Sequence, residues 1–74
     1  MPIATIHIVE GRDMEKKRRL IAAVSEAIAT SLDAPAASIR VLVQEVPAEL
    51  WGVGQQTVAE RRAARASDDG SNKV

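Results

Sequence analysis

The opening residues alternate in an extended chain without either side becoming polar. Ala4, Ile6 and Ile8 fall on one face, and Ile3, Thr5, His7 and Val9 on the other. Successive strand side chains point to opposite faces, so the run predicts a strand over residues 2–9 that is covered on both sides. Gly11-Arg12 ends it, and Asp13 is a good helix N-cap. From Asp13 to Leu32 the apolar positions Leu20, Ile21, Val24, Ala27, Ile28 and Leu32 recur with the helical period and predict one long amphipathic helix. Asp33-Ala34-Pro35 stops it, because the residue before a proline avoids the α region. The apolar run Ile39-Arg40-Val41-Leu42-Val43-Gln44-Glu45-Val46 predicts a second strand. Strand, long crossover helix and strand imply two parallel strands in a right-handed βαβ unit.

Pro47-Ala48-Glu49-Leu50-Trp51-Gly52-Val53-Gly54 reads as a turn and then a glycine-punctuated hairpin, and residues 57–65 as a short arm or helical turn. Residues 66–74 are polar, without periodicity, and are expected to be disordered. The chain thus divides into a single domain over 1–65 and a tail over 66–74. The helix covers one face of the two-stranded sheet, so the other face needs a partner. Pairing the strands of two copies gives a four-stranded sheet with two helices, closes an edge and doubles the core.

Composition sharpens that expectation. A chain of 74 residues buries only about 60% of its unfolded surface. Although 46% of it is hydrophobic, 13 of those residues are alanines, Phe and Tyr are absent, and Trp51 is the single aromatic, so each copy's core is small. The absence of cysteine removes disulfides, thiolate catalysis and thiolate metal sites, and a lone His7 speaks against a protein-only metal centre; no metal or cofactor is expected. Neither a run of ~20 apolar residues nor a cleavable leader is present, which predicts a cytoplasmic protein. Ten basic and ten acidic residues balance, so no global field argues for nucleic acid or a membrane surface. The cluster Lys16-Lys17-Arg18-Arg19 wraps one helical turn with no interleaved aromatic, and reads as a solvated turn rather than a nucleic-acid stripe.

Three features carry chemistry. Pro2 becomes a secondary amine at the chain end once Met1 is removed, fixed in geometry by its ring. Near guanidiniums and apolar walls its ammonium form is disfavoured by desolvation and by like charge, which would lower its pKa toward neutrality and make it a general base. Many second-position prolines do no more than permit removal of the methionine. Arg12 and Arg40 come next. Surface arginines are ordinary, but Arg40 interrupts the apolar run of a strand expected to be largely buried, and guanidiniums pair bidentately with carboxylates, which suits a dicarboxylate or 2-oxo acid. Trp51 is either the one large core plug or a wall facing a ligand, and an oligomer allows both. His7 reads as structural, and Gly52-Val53-Gly54 as hairpin geometry rather than a phosphate loop.

Pro2-Ile3-Ala4-x-Ile6-His7-Ile8, Glu10-Gly11-Arg12, Val24-Ser25-Glu26-Ala27-Ile28, Ser31-Leu32-Asp33-Ala34-Pro35, Arg40-Val41 and Trp51-Gly52-Val53-Gly54 closely resemble the 4-oxalocrotonate tautomerase family across residues 2–62. The resemblance implies the tautomerase β-α-β fold, an α/β (α+β) arrangement of two parallel strands, one long helix and a C-terminal hairpin. It implies pairing into dimers and then a hexamer, either of one chain or with a paralogue. It implies a cofactor-free isomerase of aromatic degradation in which Pro2 moves a proton on a 2-hydroxydienoate to give the conjugated ketone. Arg12 would hold the carboxylate remote from the reacting carbonyl. Arg40, from another subunit, would engage the 2-oxygen and adjacent carboxylate and stabilise enolate charge. Trp51 stands where the family carries an aromatic wall, and Ser38, Ile3 and Val9 would line the pocket.

Relatives that dehalogenate 3-chloroacrylates by adding water need an additional arginine and a water-activating glutamate, and the matching positions here are Val9 and Val53. Neither can activate water, so a hydratase ranks below a tautomerase. Gln55, where the hairpin often continues with glycine, and the chain beyond Arg65 depart from the family pattern. A non-catalytic oligomer that binds a small acid or a protein stays open beside the enzyme, and retention of Met1 would favour it.

Overall fold

A computed structural model describes the backbone of residues 1–72 and the side chains of residues 1–65. The chain runs β1 (Ile3–Val9), α1 (Met14–Leu32), a 3₁₀ turn at Ala36–Ser38, β2 (Arg40–Val46), a second such turn at Ala48–Leu50, the short strands β3 (Gly52–Val53) and β4 (Gln56–Thr57), and α2 (Val58–Asn72). β1 and β2 are parallel, in register from Ile3 opposite Arg40 to Val9 opposite Val46. One hydrogen bond extends the ladder beyond each end: Arg40 N–H donates to Pro2 O and Glu10 N–H donates to Val46 O, both at 3.0 Å. β3 and β4 form the expected hairpin, turned through Gly54 at φ 65°, a left-handed conformation that glycine adopts without strain.

The ends of α1 follow from local chemistry. Asp13 caps the first turn, its Oδ1 accepting from Lys16 N–H at 2.9 Å. At the other end Asp33 takes the left-handed conformation, φ 54°, and its N–H donates to Ala29 O. An aspartate tolerates that conformation, so α1 ends before Pro35 can impose its own stop.

The sheet has two unlike faces. Ala4, Ile6 and Ile8 of β1 and Val41 and Val43 of β2 are half-buried on the side where α1 supplies Leu20, Ile21, Val24 and Ile28, themselves half-buried. On the other side Thr5, His7, Arg40 and Gln44 are exposed, together with Ile3 at 65% and Leu42 at 51%. The second cover that the sequence calls for is not supplied by the described residues. Ile39, leading into β2, is the one buried hydrophobic residue among the described residues. The chain measures 53 × 25 × 20 Å with a radius of gyration of 17.1 Å, against about 11 Å for a compact chain of this length.

α2 is longer than the short arm expected over residues 57–65. A reciprocal cap starts it: Thr57 N–H donates to Glu60 Oε1 at 2.8 Å and Glu60 N–H donates to Thr57 Oγ1 at 3.0 Å. Ala59, Ala63 and Ala64 with Arg61, Arg62 and Arg65 then favour continuation. The tail read as disordered over 66–74 continues α2 in its backbone as far as Asn72; its side chains, and the backbone at 73–74, lie outside the described residues. Among the described residues no helix is long and apolar enough to cross a membrane.

Candidate active site

The sequence-predicted residues gather in two places, not one. At the start of the parallel ladder lie Pro2, Ile3, Ser38 and Arg40. Pro2 is half-buried and bonded through its carbonyl to Arg40 N–H at 3.0 Å, and Ile3 is the register partner of Arg40. Met1 leads away from this point, 81% exposed, so its removal would uncover the Pro2 nitrogen without disturbing any packing. Ser38 is half-buried and held in the 3₁₀ turn, its hydroxyl donating to Pro35 O at 2.8 Å.

Arg40 departs from the sequence expectation of a largely buried strand residue. It is exposed, because it starts β2 on the face that α1 does not cover. Its Nη1 donates to Ala37 O at 3.0 Å and to Ile39 O at 3.3 Å. Carbonyls of its own chain, rather than a carboxylate, therefore hold the guanidinium, and it neighbours Pro2 of the same chain through the main chain.

Val9 and Arg12 lie at the opposite end of β1. Six strand steps separate Ile3 from Val9, a distance of about 20 Å at ~3.3 Å per residue. Arg12 is exposed, and its Nη1 donates to Val9 O at 3.3 Å, folding the guanidinium against the end of the strand. Gly11, at φ 133°, makes the turn into this loop, a conformation closed to other residues without strain. Trp51 belongs to the same end. It is half-buried after the second 3₁₀ turn, and its carbonyl accepts from Val58 N–H at 2.8 Å, which ties the start of α2 to it. Leu50 beside it is 74% exposed. A cleft of about 150 Å³ lies between the hairpin and α2, lined by Val53, Val58, Arg61, Arg62 and Arg65; none of the predicted site residues lines it.

Sequence reasoning missed one polar contact of this region. Lys17, read as part of a solvated turn, has its Nζ 3.0 Å from Glu45 Oε2, with the two side chains 19% and 33% exposed. The residues are 28 apart in sequence, so no local spacing announces the pair. The reciprocal cap of Thr57 and Glu60 was also missed, although the spacing Thr57-x-x-Glu60 is a signal that could have found it.

Comparison with known proteins agrees with this arrangement of elements. A family model described as "Tautomerase enzyme" matches residues 2–61. The chain is 54% identical over 57 residues to a 2-hydroxymuconate tautomerase of Stutzerimonas stutzeri, covering 77% of this chain and 90% of the relative. It is 50% identical over 62 residues to one of Pseudomonas putida, covering 84% of this chain and 98% of the relative. Among solved structures, a 4-oxalocrotonate tautomerase isozyme of Methylibium petroleiphilum superposes with a TM-score of 0.82 at 40% identity, covering 85% of this chain and 98% of the other. A heterohexameric 4-oxalocrotonate tautomerase of Chloroflexus aurantiacus gives 0.79 at 42% identity, covering 81% and 97%. The parallel β-α-β unit, its C-terminal hairpin and these matches over most of each chain place this protein in the tautomerase family.

Proposed function

We propose that the protein is a cofactor-free keto-enol tautomerase that converts a dicarboxylic 2-hydroxydienoate such as 2-hydroxymuconate to the conjugated 2-oxo acid, with Pro2 as general base after loss of Met1. The observation that carries this reading is the position of Pro2. It is half-buried at the head of the parallel ladder, behind an exposed Met1, in a chain half identical to 2-hydroxymuconate tautomerases.

The neutral amine takes the proton from the 2-hydroxyl, the dienol electrons shift along the chain, and the proton is returned to a carbon remote from the new carbonyl. Nothing is gained or lost overall, so no oxidant or cofactor is required. A guanidinium at the 2-oxygen acts where negative charge develops, and we assign this to Arg40 of a neighbouring copy. Arg12 lies about 20 Å along β1 from its own Pro2, so it too serves the Pro2 of another copy, holding the remote carboxylate there. Ile3, Val9, Ser38 and Trp51 form the walls. The exposed apolar positions Ile3 and Leu42 are the surface on which copies pair, and a hexamer, of this chain alone or with a paralogue, completes the sites; the Chloroflexus relative is a heterohexamer. We place the protein in the cytoplasm.

Intact mass identifies the Met1-free form, and absorbance follows 2-hydroxymuconate. The trimmed protein should be active, with kcat/KM falling on acidification as Pro2 is protonated, since only the neutral amine accepts a proton. Pro2→Ala should lose activity by orders of magnitude while keeping its assembly. A Met1-retaining form should be inactive, because an amide nitrogen has no basic lone pair. Equal rates from the retained and trimmed forms would refute the mechanism.

A further inference from the structure

We propose that the Lys17–Glu45 ion pair is a positioning brace that fixes where the Gly11–Asp13 loop presents the Arg12 guanidinium. The inference rests on the role given to Arg12 above. From Met14 to Arg19 every side chain of α1 is exposed except that of Lys17. The next half-buried positions are Leu20 and Ile21, a full turn further from the loop. The first turn of α1 therefore has one side-chain anchor to the sheet, and it is the 3.0 Å contact from Lys17 Nζ to Glu45 Oε2.

Glu45 is well placed to receive it. It is the register partner of Ile8, one residue before Val46, whose carbonyl accepts from Glu10 N–H at 3.0 Å. The strand side of the loop is thereby held by the last rung of the ladder and the helix side by the ion pair, with Asp13 capping in between. Arg12 is left to be placed by a loop whose two ends are both fixed. Arg12 itself is tied only at Val9 O, at 3.3 Å. Loss of the brace frees the first turn of α1 to shift relative to β2, and a displacement of about 1 Å at a charged anchor is enough to weaken binding severalfold.

The test compares two enols, dicarboxylic 2-hydroxymuconate and monocarboxylic phenylenolpyruvate, which has no remote carboxylate for Arg12 to hold. Lys17→Met keeps the aliphatic stem and removes the charge. KM for 2-hydroxymuconate should rise roughly 3- to 10-fold with little change in kcat, KM for phenylenolpyruvate should stay put, and Lys17→Arg should restore the parent value. Glu45→Gln should act in the same direction. If Lys17 instead touched substrate itself, freeing it from Glu45 would leave binding unchanged or tighter, and that result would overturn the brace. An equal rise for both enols would also overturn it, since general loosening of the fold does not distinguish them. Arg12→Ala separates the two layers of the argument. If it discriminates between the enols and Lys17→Met does not, the brace fails and the role of Arg12 stands; if Arg12→Ala does not discriminate, that role fails and the brace with it.

Discussion

The two faces of the parallel sheet do different work with similar material. The face under α1 carries Ala4, Ile6, Ile8, Val41 and Val43, all half-buried within one chain. The opposite face carries Ile3, Thr5, His7, Arg40, Leu42 and Gln44, all exposed. The first is a small core that shapes the monomer's β-α-β unit. The second mixes apolar surface with a guanidinium and borders Pro2, and a lone chain gives it nothing to pack against. The difference teaches that the residues packed within the chain are separate from those left open to a second copy, and the proposed site draws on the open side.

The largest expected effect comes from placing a charge on the open face. Leu42→Asp would bury an unpaired carboxylate wherever copies meet, at a cost no such contact sustains. Sedimentation at micromolar concentration should find the parent as a hexamer without folded monomer and the variant without assembly or activity. A compact parent monomer that survives dilution would break the comparison.

Next in size, the two arginines should separate. In the proposed mechanism Arg40→Ala removes charge stabilisation as the enolate forms, and it should lower kcat by about 10²-fold. In the same mechanism Arg12→Ala removes a hold on a carboxylate that does not react, and it should chiefly raise KM. Steady-state kinetics on 2-hydroxymuconate decides between them, and equal, mild effects would remove the distinction.

A smaller effect is expected on the covered face. Ile6→Ala should cost about 2 kcal/mol of stability per chain, read as an earlier denaturant midpoint, with the remaining folded protein still active. Smallest of all, trimming residues 66–74 should leave assembly and rate unchanged. A lost hexamer would mean that the chain beyond Arg65 takes part in packing.

Much of the covered face was legible because it obeys short-range rules. The helical period from Leu20 to Ile28, the cap at Asp13 and the parallel strands implied by one long crossover are all local patterns, and the structure has them; Ala27 and Leu32, read as part of the same stripe, are exposed. The reciprocal cap at Thr57 and Glu60 obeys the same kind of rule and lengthens the arm into α2. The open face was less legible, since no described residue of this chain packs over it. Arg40 read as buried by its apolar neighbours in sequence and is exposed in the single chain. The types of the site residues could be read from the sequence, but their division between two ends of the sheet needed the register. Lys17 and Glu45 could not be paired from sequence, because only the fold brings them to 3.0 Å.

The central claim is that each site joins Pro2 of one copy to Arg12 of another. Mixing tests it most directly. Pro2→Ala and Arg12→Ala proteins, each nearly inactive at low 2-hydroxymuconate, are unfolded, combined in equal amounts and refolded together. With random assembly, roughly one half times one half, a quarter, of the sites regain both groups, so kcat/KM of the mixture should rise well above the sum of the two variants refolded apart. A mixture no more active than that sum would mean that both residues act within one chain, and the account would be contradicted.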